Sequence, residues 1–392
     1  MDLRWTTKNI GLSVAALAFG LPFPAPALTL PPSGFTTQDF HAKAQADCGA
    51  VDVRDSLGGE MKRFFSYPRI EGYFAQDHAQ DDDVGLCFAM GSADVLSFQT
   101  GTPVSAMNLF LNYENRLDGF DHVWRFFYDL VSPDASPIAD GGFANVALRQ
   151  SLAASGYGMC QELAVPSNHR GDIDFDFPDA ILGLQGAMRL AEQGDAGFRG
   201  AVRGTKLVRA FTGLAGSEGE AERRLEDLVW SGTQAGHSAL QILTAASDQA
   251  CVGRKIASNA DPNAVVSFNH NDSDIFGPID GQLDLVRRGR PRPNMPAIMY
   301  DTGFTRHSRS PNPTRRLFGS HVSPVIGRAW NKRRNLCEYR IRDSLFGTAC
   351  AYYNEKNVRC VGDGTFWVSD AVLWDMTTFV TYIDQRPGGE RR

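Results

Sequence analysis

The chain has 392 residues, 43% of them hydrophobic, and a formal net charge of −6. That length can bury one large core or two moderate ones, and the acidic balance argues against a nucleic-acid binder of the usual basic kind. No run of about 20 apolar residues follows the N-terminus, so no later membrane-spanning helix is expected.

The first stretch reads as a targeting segment. Arg4 and Lys8 supply positive charge, Ile10 to Leu21 form a short apolar run, and Ala25-Pro26-Ala27 offers small residues for cleavage. Residues 1–27 are therefore expected to be a signal peptide, and the mature protein to be secreted or periplasmic, where disulfides form. Residues 28–60 read as an extended lead-in. Aromatic segments follow at Phe64-Phe65-Ser66-Tyr67 and Tyr73-Phe74, and then an acidic loop spans Asp77 to Asp83.

A glycine turn at Gly85 delivers Cys87 to the start of a mostly apolar helix. Ala89, Ala93 and Leu96 repeat at helical spacing, Gly101 suits the C-terminal cap, and Pro103 ends the pattern, which predicts a helix over 87–100. Further helices are expected over 104–115, 120–130 and from Gly141-Gly142-Phe143 to Ala154. Asp172-Ile173-Asp174-Phe175-Asp176-Phe177 alternates acidic and apolar residues. An edge strand with one wet face accounts for it better than calcium ligation, which needs a glycine turn and more ligands. A charged helical insertion is expected over about 178–257. After residue 260, β-type runs appear at Val265–Phe268, Ala297–Tyr300, Val322–Trp330, Cys337–Arg342 and Thr365–Val368, as in an antiparallel sheet or barrel. The helical half thus covers 61–260 and the β half 261–385.

Seven cysteines occur, at 48, 87, 160, 251, 337, 350 and 360. An odd count in an exported protein leaves one thiol outside the bridges. Setting Cys87 aside leaves three bridges. Cys350 and Cys360 flank a short polar loop and are expected to pair, while the other four allow three pairings. No CxxC occurs, so no structural zinc is expected, and nothing calls for a cofactor. A thiol at a helix start meets the positive end of the helix dipole, which favours the nucleophilic thiolate.

Eight histidines are candidate bases for that thiol: His41, His78, His122, His169, His237, His270, His307 and His321. His321 differs from the rest, because Gly319-Ser320-His321 leads into the apolar strand Val322–Gly327. The charged turn Asn331–Asn335 then connects to Cys337–Asp343. A hairpin centred at Lys332 sets His321 opposite Asp343 on one face of the ladder. Asp343 would then orient the imidazole, leaving its other nitrogen to serve Cys87. A one-residue slip would send Asp343 to the other face.

With these residues in view, the chain resembles the papain-like cysteine peptidases, particularly exported bacterial members, over roughly 60–375. The Cys87-Phe88-Ala89 helix resembles the family's cysteine helix, and Gly141-Gly142 the glycine pair that lines its substrate cleft. His321 before a Val/Ile strand resembles the catalytic histidine, and Tyr339–Gly347 the Y-x-I-R-N-S-W-G segment. The resemblance implies an α+β, papain-like two-lobed fold. Its helical N-terminal lobe would carry Cys87 and the helical insertion, and its antiparallel β-barrel-like C-terminal lobe His321 and Asp343. It implies hydrolysis of peptide bonds in a peptide or protein substrate, with catalytic Cys87, His321 and Asp343. The chain also departs from the family. Asp343 replaces the orienting asparagine, and Leu345 replaces the tryptophan that shields this contact, which is therefore expected to be wetter. Asp81 stands where the oxyanion-hole glutamine belongs, and Gln80, one residue back, is the better candidate because an aspartate repels a developing oxyanion. The span between Ala27 and Cys87 is too short for a long inhibitory prosegment, so control by export or by a partner, a protein inhibitor or regulator, is expected. Two other readings stand beside the peptidase. One is a cell-wall amidase or transglutaminase-type acyl transferase, and the other a catalytically inactive papain-like binding domain.

Overall fold

A helix that is mostly apolar on every face belongs in a core, and the Cys87 segment, whose polar residues as far as Phe98 are Ser92, Asp94 and Ser97, is such a helix. A computed structural model of the chain describes residues 42–68, 86–115, 143–153, 158–167, 177–257, 260–269, 274–289, 294–305, 320–344 and 350–384. Ahead of the Cys87 segment, a first helix, α1, spans Gly59–Ser66. The Cys87 helix, α2, spans Cys87–Thr100, is buried from Cys87 to Phe98, and ends at Gly101 with φ of 70°. Glycine adopts that left-handed conformation at no steric cost. Helices α3 (Ala106–Asn115) and α4 (Ala144–Leu152) pack against α2, with Phe88 and Tyr113 ring centroids 4.6 Å apart.

The stretch expected as a helical insertion, about 178–257, is largely helical, although its end, Lys255–Ile256, is extended. It comprises α5 (Phe177–Glu192), α6 (Phe198–Gly204), α7 (Glu218–Gln234) and α8 (Ala239–Ala250). Helix α8 opens on a capping box of Ser238 and Gln241. It joins α3 through Asn108 Nδ2, which donates to Ser247 Oγ at 2.7 Å. The acidic–apolar alternation at 172–176 and the helix expected over 120–130 lie outside the described residues.

The C-terminal half supplies an antiparallel sheet. Its strands are β4 (Val265–Asn269), β5 (Ala297–Asp301), β6 (Ser320–Asn331), β7 (Leu336–Arg342), β8 (Val358–Cys360), β9 (Thr365–Ser369) and β10 (Thr377–Ile383). They run in the order β4-β10-β5-β6-β7-β9-β8, and β1 (Val51–Asp52) is added on β6. A small second sheet pairs β2 (Met159–Cys160) with β3 (Lys255–Ile256). The molecule is thus mixed helix and antiparallel sheet. Two helices, α9 (Phe276–Arg287) and α10 (Asp370–Met376), fall in the half read as β. Helix α9 is docked on the sheet by Arg328, which pairs with Asp280 and, at 2.7 Å, with Asp284.

Three disulfides fasten this arrangement: Cys48–Cys337, Cys160–Cys251 and the expected Cys350–Cys360. The first ties the lead-in to β7. Cys87 is the cysteine outside these bridges, and it is buried.

The hairpin of β6 and β7 turns differently from expectation. Asn331 faces Leu336, so the turn is Lys332–Asn335 and is not centred on Lys332. Asn331 Oδ1 accepts from the amides of Arg333 and Arg334 at 3.0 and 3.1 Å, and Asn335 takes φ of 53°. An asparagine binding its own downstream backbone and another tolerating the left-handed region together close the loop at four residues. The register then shifts at a bulge, from Gly327↔Arg340 to Val325↔Ile341. Continued outward, it sets Asp343 against Ser323, diagonal to His321 and not opposite it.

Candidate active site

Three elements bring the predicted residues together. Cys87 opens α2, so its thiol sits in the first turn, where backbone N–H groups have no intrahelical acceptor and the dipole is positive. His321 is the second residue of β6, opposite Tyr300 on β5. Asp343 follows the end of β7, its amide donating to the Gly364 carbonyl at 2.9 Å. The helix reaches the strand because of Gly91, one turn beyond Cys87. A Cβ there would stand 2.7 Å from Val322 Cγ1, a separation real Cβ atoms essentially never show. Only glycine lets α2 lie this close to the residue next to His321.

The bulge at Ile326 decides the pairing. Without it, the Gly327↔Arg340 register would place Asp343 opposite Pro324, on the face away from His321. The extra residue restores parity, and His321 Nε2 meets Asp343 Oδ1 at 2.8 Å. Beside the bulge, Gly327 leaves room for β1. A Cβ on Gly327 would come within 2.9 Å of the Val51 carbonyl oxygen.

His321 and Asp343 are 3% and 1% exposed. The wetter contact expected from Leu345 is not found, although Leu345 itself lies outside the described residues. Other rings do the covering. Tyr300 is edge-on to the imidazole at 5.5 Å, and Tyr300 and Tyr353 both pack on Phe366. Tyr353 Oη donates to Asp343 Oδ2, and Tyr300 Oη approaches Oδ1 at 3.4 Å. None of these tyrosines was singled out by sequence. Tyr300 sits within a β-type run and Tyr353 within the short loop between Cys350 and Cys360, but the contacts each makes with Asp343 are purely tertiary.

His321 also hydrogen-bonds Cys87. Burial is the largest influence on the imidazole and disfavours its charged form. The charges of Asp343 and Cys87 and their hydrogen bonds outweigh it, holding the His321 pKa well above the ordinary histidine value. A buried imidazolium between a carboxylate and a sulfur is suited to sustaining a thiolate and to delivering a proton.

Gln80, Asp81, Gly141 and Gly142 lie outside the described residues. Beside the glycine pair, Phe143 is exposed, and its amide donates to Tyr113 Oη at 3.3 Å. Among the described residues, no group of three or more His, Cys, Asp or Glu is arranged to hold a metal ion.

No family model matches the chain. No curated protein matches it either. Among solved structures, it is similar to a chain from a study of the limited antibody cross-reactivity between the mite allergens Blo t 1 and Der p 1. The TM-score is 0.35 and the identity 12%, covering 88% of this chain and 72% of that one. A likeness of that degree assigns neither fold nor activity.

Proposed function

We propose that the chain is an exported cysteine peptidase with a papain-like, two-lobed fold. The observation that carries this reading is the 2.8 Å contact of His321 Nε2 with Asp343 Oδ1, made by a buried imidazole that also hydrogen-bonds Cys87. Cys87 is the one cysteine of seven outside the three disulfides.

In this mechanism the Cys87 thiolate attacks the carbonyl carbon of a peptide bond, and the carbonyl π electrons pass to oxygen. The resulting oxyanion is held by the Cys87 backbone N–H and the Gln80 side-chain amide. Collapse expels the amine, which takes its proton from His321, and leaves a thioester on Cys87. Neutral His321 then removes a proton from water. The hydroxide displaces sulfur to give a carboxylic acid, and the thiolate–imidazolium pair returns. Asp343 keeps the imidazole oriented throughout, and Gly141 and Gly142 pair with the substrate backbone.

The three disulfides and the absence, among the described residues, of a helix long and apolar enough to cross a membrane are compatible with a secreted or periplasmic location. Cys87→Ala tests the reading directly. Hydrolysis of casein should vanish, and casein hydrolysis persisting in the purified variant would end it.

A carboxylate as the third residue, Asp343 in place of asparagine, favours one second reading, a cell-wall amidase or transglutaminase-type acyl transferase. Turnover of peptidoglycan fragments by a protein that leaves casein intact would select it.

A further inference from the structure

A carboxylate that orients a histidine must itself be oriented, because it turns about the bond to its Cβ. Asp343 has one oxygen at His321 Nε2, 2.8 Å away, and the other accepts from Tyr353 Oη. Tyr353 is 1% exposed and packs on Phe366 with ring centroids 5.2 Å apart. Its place is set by a closed loop. The 3-10 turn Cys350–Tyr352 begins at a half-cystine, and Cys360 in β8 completes the bridge. Tyr353 N donates to the Cys350 carbonyl at 3.1 Å, and Val358 N to the Asn354 carbonyl at 3.0 Å. Asn354 N and Asn357 Nδ2 fasten the same loop to Thr305 and Phe304, just beyond the strand that carries Tyr300.

We propose that Tyr353 is a positioning residue of the site, held by the disulfide-closed loop so that its hydroxyl fixes the rotation of Asp343 and keeps Oδ1 on His321. This rests on the Cys87–His321–Asp343 reading above. A hydrogen bond to an ionised acceptor is about twice as strong as a neutral one, so a single phenol suffices for the task. Among the described residues, the titratable groups placed against Asp343 include His321 from β6, Tyr300 from β5 and Tyr353 from the loop. Arg342, its chain neighbour, is engaged by Asp94 at 2.6 Å, and Asp363, ahead of β9, by Arg54 and Arg340.

The test is Tyr353→Phe in the full chain, which keeps the ring and removes the hydroxyl. Two readouts apply, the pH dependence of Cys87 alkylation by iodoacetamide and the separate kcat and KM for casein-derived peptides. A carboxylate free to swing stabilises the imidazolium less, and the imidazolium in turn stabilises the thiolate less. The low-pH edge of alkylation should therefore move up, the alkaline limb of kcat/KM should move down, and kcat should fall about tenfold, as for one lost hydrogen bond to a charged group, with KM unchanged. The Cys350→Ser/Cys360→Ser double variant should shift the alkylation edge in the same direction. An unmoved alkylation edge in Tyr353→Phe overturns the proposal, whether or not its melting temperature falls. Alkylation needs no peptide cleavage. A shifted edge in a protein that cleaves no peptide upholds the placement of Tyr353 and defeats only the peptidase reading.

Discussion

Arg342 and Asp94 pair at 2.6 Å with both side chains 2% exposed. Arg342 immediately precedes Asp343, and Asp94 lies about two helical turns beyond Cys87. The pair therefore joins the cysteine's helix to the strand that ends at the carboxylate. The guanidinium also donates to the carbonyls of Phe64 and Tyr67 at 3.0 Å and lies over the rings of Phe64 and Phe65. Removing one partner of a buried pair leaves the other charge uncompensated, which costs about 3–5 kcal/mol. Asp94→Asn should accordingly unfold at much lower denaturant concentration, whereas an apolar pair, Asp94→Leu with Arg342→Met, should recover much of the loss. Equal midpoints for wild type and Asp94→Asn would show that the pair does not hold the two elements together.

The close approach of Gly91 to Val322 makes the second prediction. Gly91→Ala inserts a methyl 2.7 Å from Val322 Cγ1, and the short valine side chain gives way poorly. Overpacking of this kind costs about 1–3 kcal/mol. It should also push α2 off β6, so Cys87 alkylation should slow along with the loss of stability. Adding Val322→Ala makes room, and the double variant should regain both. A single variant with wild-type stability and alkylation rate would show that the spacing is not critical.

How much of this could be read from sequence depends on the range of the interaction involved. Helix α2 announced itself through Ala89, Ala93 and Leu96 and the stop at Gly101 and Pro103, all local signals. Strands β5, β6 and β7 did so through apolar runs. The nearness of His321 and Asp343 followed from one hairpin, but its register did not. Val325-Ile326-Gly327 is apolar or small throughout, so nothing in the pattern marks Ile326 as an extra residue. Beside it, β1 arrives at Gly327 from more than 250 residues away, a contact that no local pattern records. For the same reason Asp94 and Arg342 read as unrelated charges and Tyr353 as part of a polar loop. Helix α9 was hidden because Gly277, Pro278 and Gly281 weaken its helical signal, which tertiary burial of Phe276, Ile279 and Leu283 overrides.

Disulfide removal should separate the long bridge from the short one. Cys48–Cys337 spans 289 residues and Cys350–Cys360 only 10. Constraint of the unfolded chain grows with the logarithm of the closed loop, so the long bridge should contribute about 2 kcal/mol or more beyond the short one. Cys48→Ala/Cys337→Ala should therefore lower the denaturation midpoint further than Cys350→Ala/Cys360→Ala. The reverse order would mean that native contacts in the short loop, not chain constraint, dominate.

The raised pKa of His321 has a consequence for stability that can be signed. The folded-state value lies well above the unfolded one. The folded protein therefore holds this proton at pH values where the unfolded chain has released it. The associated stability is fully present below about pH 6.5, the unfolded value, and is lost as pH rises through the folded one. Denaturation midpoints should decline over that window in the wild type, and the decline should be weaker in His321→Gln. Parallel curves for the two proteins would contradict the assignment.

Asp343→Asn separates orientation from charge. Asparagine keeps an oxygen for His321 and turns its NH2 to Tyr353 Oη, which then accepts instead of donating, but it removes the carboxylate that, after burial, most strongly influences the imidazole. The His321 pKa should fall, because burial is then opposed chiefly by Cys87 alone. Thiolate and imidazolium stabilise each other, so the low-pH edge of Cys87 alkylation should rise and the alkaline limb of kcat/KM should move to lower pH. The plateau between them narrows, while activity within it persists because geometry is retained. Asp343→Ala loses both charge and orientation and should lower kcat at every pH. If Asp343→Asn and Asp343→Ala give the same profile, the carboxylate acts through its charge and not through orientation. If Asp343→Asn leaves both edges in place, the charge of Asp343 is not what holds the proton on His321.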